Sequence, residues 1–198
     1  MAFLNGLFTA AFDSNLVFAQ MIGMVSVMLV AYRPQDAFRT GGLLWAAVCA
    51  GGLLGWPLYT GLLEPWGIAY LAPLAYVIAS AAVIFVVGAF ATMGKEAEVR
   101  ARMARACSLL SVNAAVLGIA LGNAAVAETM TLDAALGSSF GAGMGVFIAV
   151  VAFAFVYDRI DERLVPRAMR GLPIALVTAA LMALAFTGVA GIAGGLFV

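Results

Sequence analysis

LLSVNAAVLGIALGN, residues 109–123, is apolar enough to cross a membrane, yet it carries Ser111, Asn113 and Asn123 along its length. An amide taken out of water needs a hydrogen-bond partner, so such a segment faces protein or a water-filled site rather than lipid tails. A second stretch of the same character, DSNLVFAQMIGMV, occupies residues 13–25. The two stretches read as the functional centre, with the remaining apolar segments packed around them.

The rest of the composition agrees with a membrane location. Of the 198 residues 65% are hydrophobic and only 10% charged, against roughly 25% charged in a soluble domain, and the mean hydropathy is +1.10. Ten basic residues balance ten acidic ones, so no polyanionic partner is indicated and no nucleic acid is expected. The absence of histidine excludes bis-histidine haem, histidine-ligated zinc or copper, and a histidine proton relay. The sole lysine, Lys95, sits in a charged loop, which argues against a retinal Schiff base. Two cysteines, Cys49 and Cys107, are too few for a four-thiolate cluster and read as small buried apolar residues. No Lys or Arg precedes Arg33, so a cleaved signal peptide is not expected and the first apolar segment belongs to the mature chain.

A spanning helix takes roughly 20 apolar residues. Six segments qualify, at about 2–31, 42–63, 68–93, 107–127, 134–157 and 172–197. With short connections between them, the sequence predicts one all-α integral membrane domain over residues 1–198. Basic residues fix its orientation. Arg33 and Arg39 follow the first segment; Lys95, Arg100, Arg102 and Arg105 follow the third; Arg159, Arg163, Arg167 and Arg170 follow the fifth. The loops around Glu64 and from Glu128 to Asp133 hold none. All ten cations thus fall on one side, the cytoplasmic one, and both termini are expected outside. Glu96 and Glu98 each stand four residues before an arginine, which supports a short helix leading into the fourth segment.

Six helices divide into two sets of three, about 1–93 and 107–197, and an odd-numbered repeat enters the membrane from the opposite side. The polar stretches then occupy corresponding first helices, the plan of an inverted repeat with a site where the paired helices meet. Asp13, Ser14 and Asn15 are good helix caps in the middle of an over-long first segment, so a break is expected there, with a new helix near Asn15. Asp13, Asn15, Asn113 and Asn123 are the candidate ion-pathway residues, since their oxygens suit a sodium ion or hydrated ions. A plainer role suits the asparagines too, tying broken helices together through hydrogen bonds, and Asp13 suits an interfacial cap. Glycines four apart, at 137, 141 and 145, at 51 and 55, and at 191 and 195, mark close helix contacts.

The chain resembles the A subunit of Rnf electron-transport complexes and the equivalent E subunit of Na+-translocating NADH:quinone reductases. The family's fourth helix reads T-N-C-A-V-L-G or V-N-C-A, and Val112, Asn113, Ala114, Ala115, Val116, Leu117 and Gly118 follow it except at the cysteine. Its last helix is followed by Arg170, Gly171, Ile174, Thr178, Ala179, Leu181, Met182, Leu184, Ala185, Phe186 and Gly188. In the first half the family's L-G-x-C corresponds to Ile22, Gly23, Met24 and Val25. The resemblance implies six helices in inverted repeats and an oppositely oriented paralogous membrane partner. It also implies a two-iron two-sulfur cluster held by one cysteine from each half of both chains. It further implies partner subunits that carry flavins and an NADH or ferredoxin module, all in a bacterial-type cytoplasmic (inner) membrane. Here the cluster-ligand positions are Val25 and Ala114, which cannot ligate iron, so no catalytic, metal or cofactor-binding residue is expected on this chain. The expectation is therefore a scaffold subunit, possessing an ion path but no iron–sulfur ligands, of an ion-translocating electron-transport complex. The alternative is a stand-alone six-helix secondary transporter or permease built on the same fold, which needs no redox partners.

Overall fold

The computed structural model describes residues 2–31, 37–111, 113–161 and 163–194; Arg33, Val112 and Gly195 lie outside them. The described residues hold helices and no strand. In chain order these are α1 (Ala2–Phe8), α2 (Met24–Ala31), α3 (Ala37–Leu58), α4 (Ala72–Ala91), α5 (Ala97–Ser111), α6 (Ala114–Ala125), α7 (Leu132–Tyr157) and α8 (Leu172–Gly194).

Three stretches are long and apolar enough to cross a membrane unbroken: Ala37–Leu63, Ala69–Phe90 and Leu132–Tyr157. The pair α5 and α6 becomes a fourth if taken as one span bent by 48°. α8 has 23 residues, about 34 Å of helix, and is apolar along its length. Local chemistry sets several of the ends. Thr131 caps α7, its Oγ1 accepting from Ala134 N at 3.3 Å, and Asp133 stands in the first turn, where the helix dipole favours a negative charge. Proline occupies the first turn of α4, where its missing N–H is of no consequence. Pro57 near the end of α3 removes one helical donor, and the chain widens directly afterwards into a π-helical turn, Tyr59–Leu63.

α7 is the centre of the bundle, with Ala142, Val146, Ala149, Val150 and Phe153 fully enclosed. α3 lies antiparallel to it. Trp56 Nε1 donates to Met130 O at 3.1 Å at one end, while Gly41 faces Phe147 and Val150 towards the other. Tyr76 at the start of α4 donates to Gly55 O at 3.1 Å near the end of α3. The loop after α4, the loop after α7 and the start of α3 therefore share one end of the bundle. That end carries the described Lys and Arg residues.

The glycine spacing of α7 has the expected use. Gly137 and Gly141 face the backbone of Phe3 and Leu7, so α1 lies on α7 with no room for a Cβ between them. Gly51 and Gly55 of α3 admit Val116 and Ala120 of α6 in the same way. Of the two expected ion pairs, Arg102 Nη2 to Glu98 Oε1 forms at 2.6 Å. The pair of Glu96 with Arg100 does not; Glu96 stands just before the helix and meets Arg100 through the backbone, its carbonyl accepting from Arg100 N at 3.1 Å.

The first apolar segment is not one helix. α1 runs into a π-helical turn, Thr9–Asp13, and residues 14–23 are turns before α2 starts at Met24. The break lies where the capping residues place it, but the new helix begins nine residues later than Asn15. Asn15 caps only one turn, its carbonyl accepting from Ala19 N and Gln20 N. The chain then takes positive φ at Met21 (57°) and Gly23 (79°), which no helix can continue through. The fourth apolar segment is likewise interrupted, and α6 starts afresh with Asn113 as its cap.

Candidate functional site

The two breaks meet. A Cβ at Gly23 would stand 2.9 Å from Ala115 Cβ and 3.7 Å from Asn113 Oδ1. A Cβ at Gly118 would touch Ile22. Backbone approach this close needs glycine at 23 for space as well as for its positive φ. The two polar stretches thus come together in space although about ninety residues separate them.

Beside this junction lies a groove of about 810 Å³. One wall is the turn and first residues of α2, including Met21, Met24 and Val25; the other is the end of α5 and start of α6, including Leu109, Leu110, Asn113 and Ala114; α3 contributes Thr40 and Leu43. Val25 and Ala114, the positions that the resemblance sets against cluster cysteines, open onto the same groove, and Val25 is 74% exposed. Leu109 and Met21 are exposed beside them. The lining is apolar except for Thr40 and Asn113.

The groove does not fit an iron–sulfur cluster held by this chain. Val25 and Ala114 offer no donor atom, and neither cysteine reaches the groove lining. Cys49 Sγ donates to Ser139 O and Cys107 Sγ to Ile84 O, each at 3.6 Å, and both are buried between helices.

The four ion-pathway candidates fall in four different settings. Asp13 is exposed at the end of the π-helical turn. Asn15 is buried, and its side chain is fully engaged: Nδ2 donates to Ala11 O at 2.7 Å, while Oδ1 accepts from Val17 N at 3.0 Å and Phe18 N at 3.1 Å. It also stands against Gly145, whose added Cβ would meet Asn15 Nδ2 at 2.7 Å. Asn113 is half-buried at the groove and caps α6, its Oδ1 accepting from Ala115 N at 2.9 Å. Asn123 lies between three helices: Nδ2 donates to Gly52 O at 3.2 Å and to Ser139 Oγ at 3.1 Å, and Oδ1 accepts from Ser138 Oγ at 2.9 Å.

The structure therefore joins Asn113 to the first break, places Asn15 at the start of that break, and sets Asn123 in a separate polar knot. The knot's other members, Ser138, Ser139 and Gly52, are legible in the sequence only as an adjacent serine pair inside an apolar helix and a glycine in another. A serine pair set within a stripe of glycines is the signal that would have found them. The strained Met21, a non-glycine residue at positive φ in the groove wall, has no counterpart in the sequence patterns.

Comparison with known proteins places these observations. The family model described as "Rnf-Nqr subunit, membrane protein" matches residues 3–193. The A subunit of the Na(+)-translocating ferredoxin:NAD(+) oxidoreductase complex of Acetobacterium woodii is 28% identical over 92% of this chain and 94% of its own length. The A subunit of an ion-translocating oxidoreductase complex of Syntrophotalea carbinolica is 30% identical over 94% of this chain and 95% of its own. The protein of the same description from Escherichia fergusonii is 32% identical over 90% and 91%.

Proposed function

Because the chain belongs to the Rnf-Nqr family of membrane subunits, we propose that it is an integral membrane subunit of an ion-translocating electron-transport complex and supplies scaffold and ion path without iron–sulfur ligands of its own. The observation that carries this reading is the groove at the crossing of the two broken stretches. Positions 25 and 114, about ninety residues apart in sequence, open onto it together, as one cluster-holding face requires, while the residues there are valine and alanine. The near full-length match to the A subunits of such complexes favours a complex subunit over a stand-alone transporter.

In this reading the chain forms six spans in one domain over residues 1–198, as inverted repeats of about 1–93 and 107–197. Two features support it: both repeats begin with a polar, interrupted segment, and the described cations share one end of the bundle. That end faces the cytoplasm and both termini face outwards, in a bacterial-type cytoplasmic membrane. An oppositely oriented paralogue covers the groove. Flavin-carrying subunits and an NADH or ferredoxin module complete the complex. Asp13 is the ion-facing group, and Asn15, Asn113 and Asn123 brace the broken helices beside the path.

The test is to tag the chain at its C-terminus, purify it from native membranes, identify the copurifying subunits and record iron content and the EPR spectrum. Copurification with flavoproteins and a paralogue is expected, with any iron–sulfur signal unchanged in Cys49→Ser and Cys107→Ser. A chain that purifies alone and transports in vesicles contradicts the subunit reading. Loss of a cluster signal in either cysteine variant contradicts the absence of ligands.

A further inference from the structure

Away from the groove, two cavities flank the contact between α4 and α5 at the basic end of the bundle. The outer one, about 350 Å³, lies between Thr92 at the end of α4 and Arg100 of α5. It shares Gly88, Met103 and Cys107 with a narrower cleft that leads past Ile84 to Ala46 and Leu110. The outer part is mixed in character, whereas every residue lining the inner cleft is apolar. The shared residues are the seam where α4 and α5 touch, a Cβ at Gly88 having no room beside Cys107 Sγ. The outer cavity is therefore an amphipathic crevice of its own, polar at Thr92 and Arg100 and apolar along Phe85, Ala89 and Met103.

Charge selects what fits it. No acidic residue among those described lines either cavity. Among the described residues Glu98 pairs with Arg102 and not with Arg100, so the guanidinium at the crevice mouth carries no carboxylate partner there. A cation at the mouth of an apolar cleft matches a molecule with an anionic head and a hydrocarbon tail, and the crevice opens at the level where Phe90 and Met93 stand exposed on α4 and just beyond it. We propose that this outer crevice holds one anionic phospholipid, its phosphate at Arg100 and the first part of one acyl chain against Phe85, Ala89 and Met103. The proposal stands on α4 and α5 alone and does not depend on the assignment of the complex.

The full-length chain, purified in mild detergent with its native partners, would be supplied with dioleoyl phosphatidylglycerol or dioleoyl phosphatidylcholine and examined by native mass spectrometry. A net attraction of one arginine near a lipid surface gives about a fivefold preference for the anionic lipid. Arg100→Gln is expected to abolish that preference and Arg100→Lys to retain it, since charge is the requirement. Ala89→Phe fills the crevice from an exposed position and is expected to lower retention of both lipids. Arg159→Gln, at the same end but outside the crevice, is expected to leave the preference unchanged. Equal retention of the two lipids by the wild type, an unchanged preference in Arg100→Gln, or displacement of phosphatidylglycerol by millimolar inorganic phosphate would each overturn the assignment.

Discussion

Replacing Asn15 by alanine separates a bracing role from an ion-coordinating one. The side chain makes three hydrogen bonds, to Ala11 O, Val17 N and Phe18 N, and it is 1% exposed. Truncation strands two buried N–H groups, each costing about 1–3 kcal/mol where water cannot reach. Side-chain hydrogen bonds in membrane proteins average only about 0.6 kcal/mol, so the lower half of that range applies. The sum is about 3 kcal/mol. For a chain of this length each kcal/mol moves the melting temperature by about 2–4 °C, giving a drop of about 6–12 °C. Asn15→Ser keeps an oxygen able to accept from the following N–H groups, and is expected to recover roughly half the loss. The assay is thermal unfolding of the detergent-solubilised chain, paired with ion translocation by the reconstituted complex. If Asn15→Ala melts within about 2 °C of the wild type yet loses translocation, the bracing argument is refuted and the amide acts on the ion directly.

Three further outcomes follow from the packing. Gly23→Ala should destabilise by about 1–2 kcal/mol from its positive φ alone, and by more because the new methyl meets Ala115 Cβ at 2.9 Å; Met21→Gly should instead stabilise by up to about 1 kcal/mol, and the opposite signs are readable in paired melts. Asn123→Ala removes three hydrogen bonds that link α3, α6 and α7 and should lower stability by about 2–3 kcal/mol, checked by the same unfolding assay. Gly141→Leu puts a large side chain where the backbone of Leu7 lies and should expel α1 from α7, exposing the N-terminal segment to limited proteolysis while Gly122→Leu, whose position faces open space, leaves it protected.

Much of the architecture is legible from composition and punctuation. Apolar runs of about 20 residues, the pooling of basic residues in alternate loops and the glycines at 137, 141 and 145 suffice for a helical membrane domain, a common basic end and a close helix contact on α7. That the contact is with α1 comes from the structure. The start of α6 at Asn113 falls inside a segment that hydropathy reads as one span, whereas the place of the first break is legible from Asp13, Ser14 and Asn15. The extent of the first break is not. Asn15 signals a helix start, but the conformations of Met21 and Gly23 depend on how residues 14–23 lie against α6 and α8, where Phe18 packs against Phe186 at a centroid distance of 4.7 Å with the rings tilted by 44°. A local propensity of a few tenths of a kcal/mol yields to packing on that scale.

The sequence by itself determined that this is a helical membrane protein, which residues are polar within its spans, and that positions 25 and 114 carry no thiol. Hydropathy and donor chemistry are properties of the residue, so no fold is needed to read them. Only the tertiary structure decided that those two positions share one groove, that Asn123 belongs to a knot with Ser138 and Ser139 rather than to that groove, and that Arg100 guards a separate crevice. Those are relations across long stretches of chain, set by which helices glycine allows to touch. No pattern confined to one helix contains them.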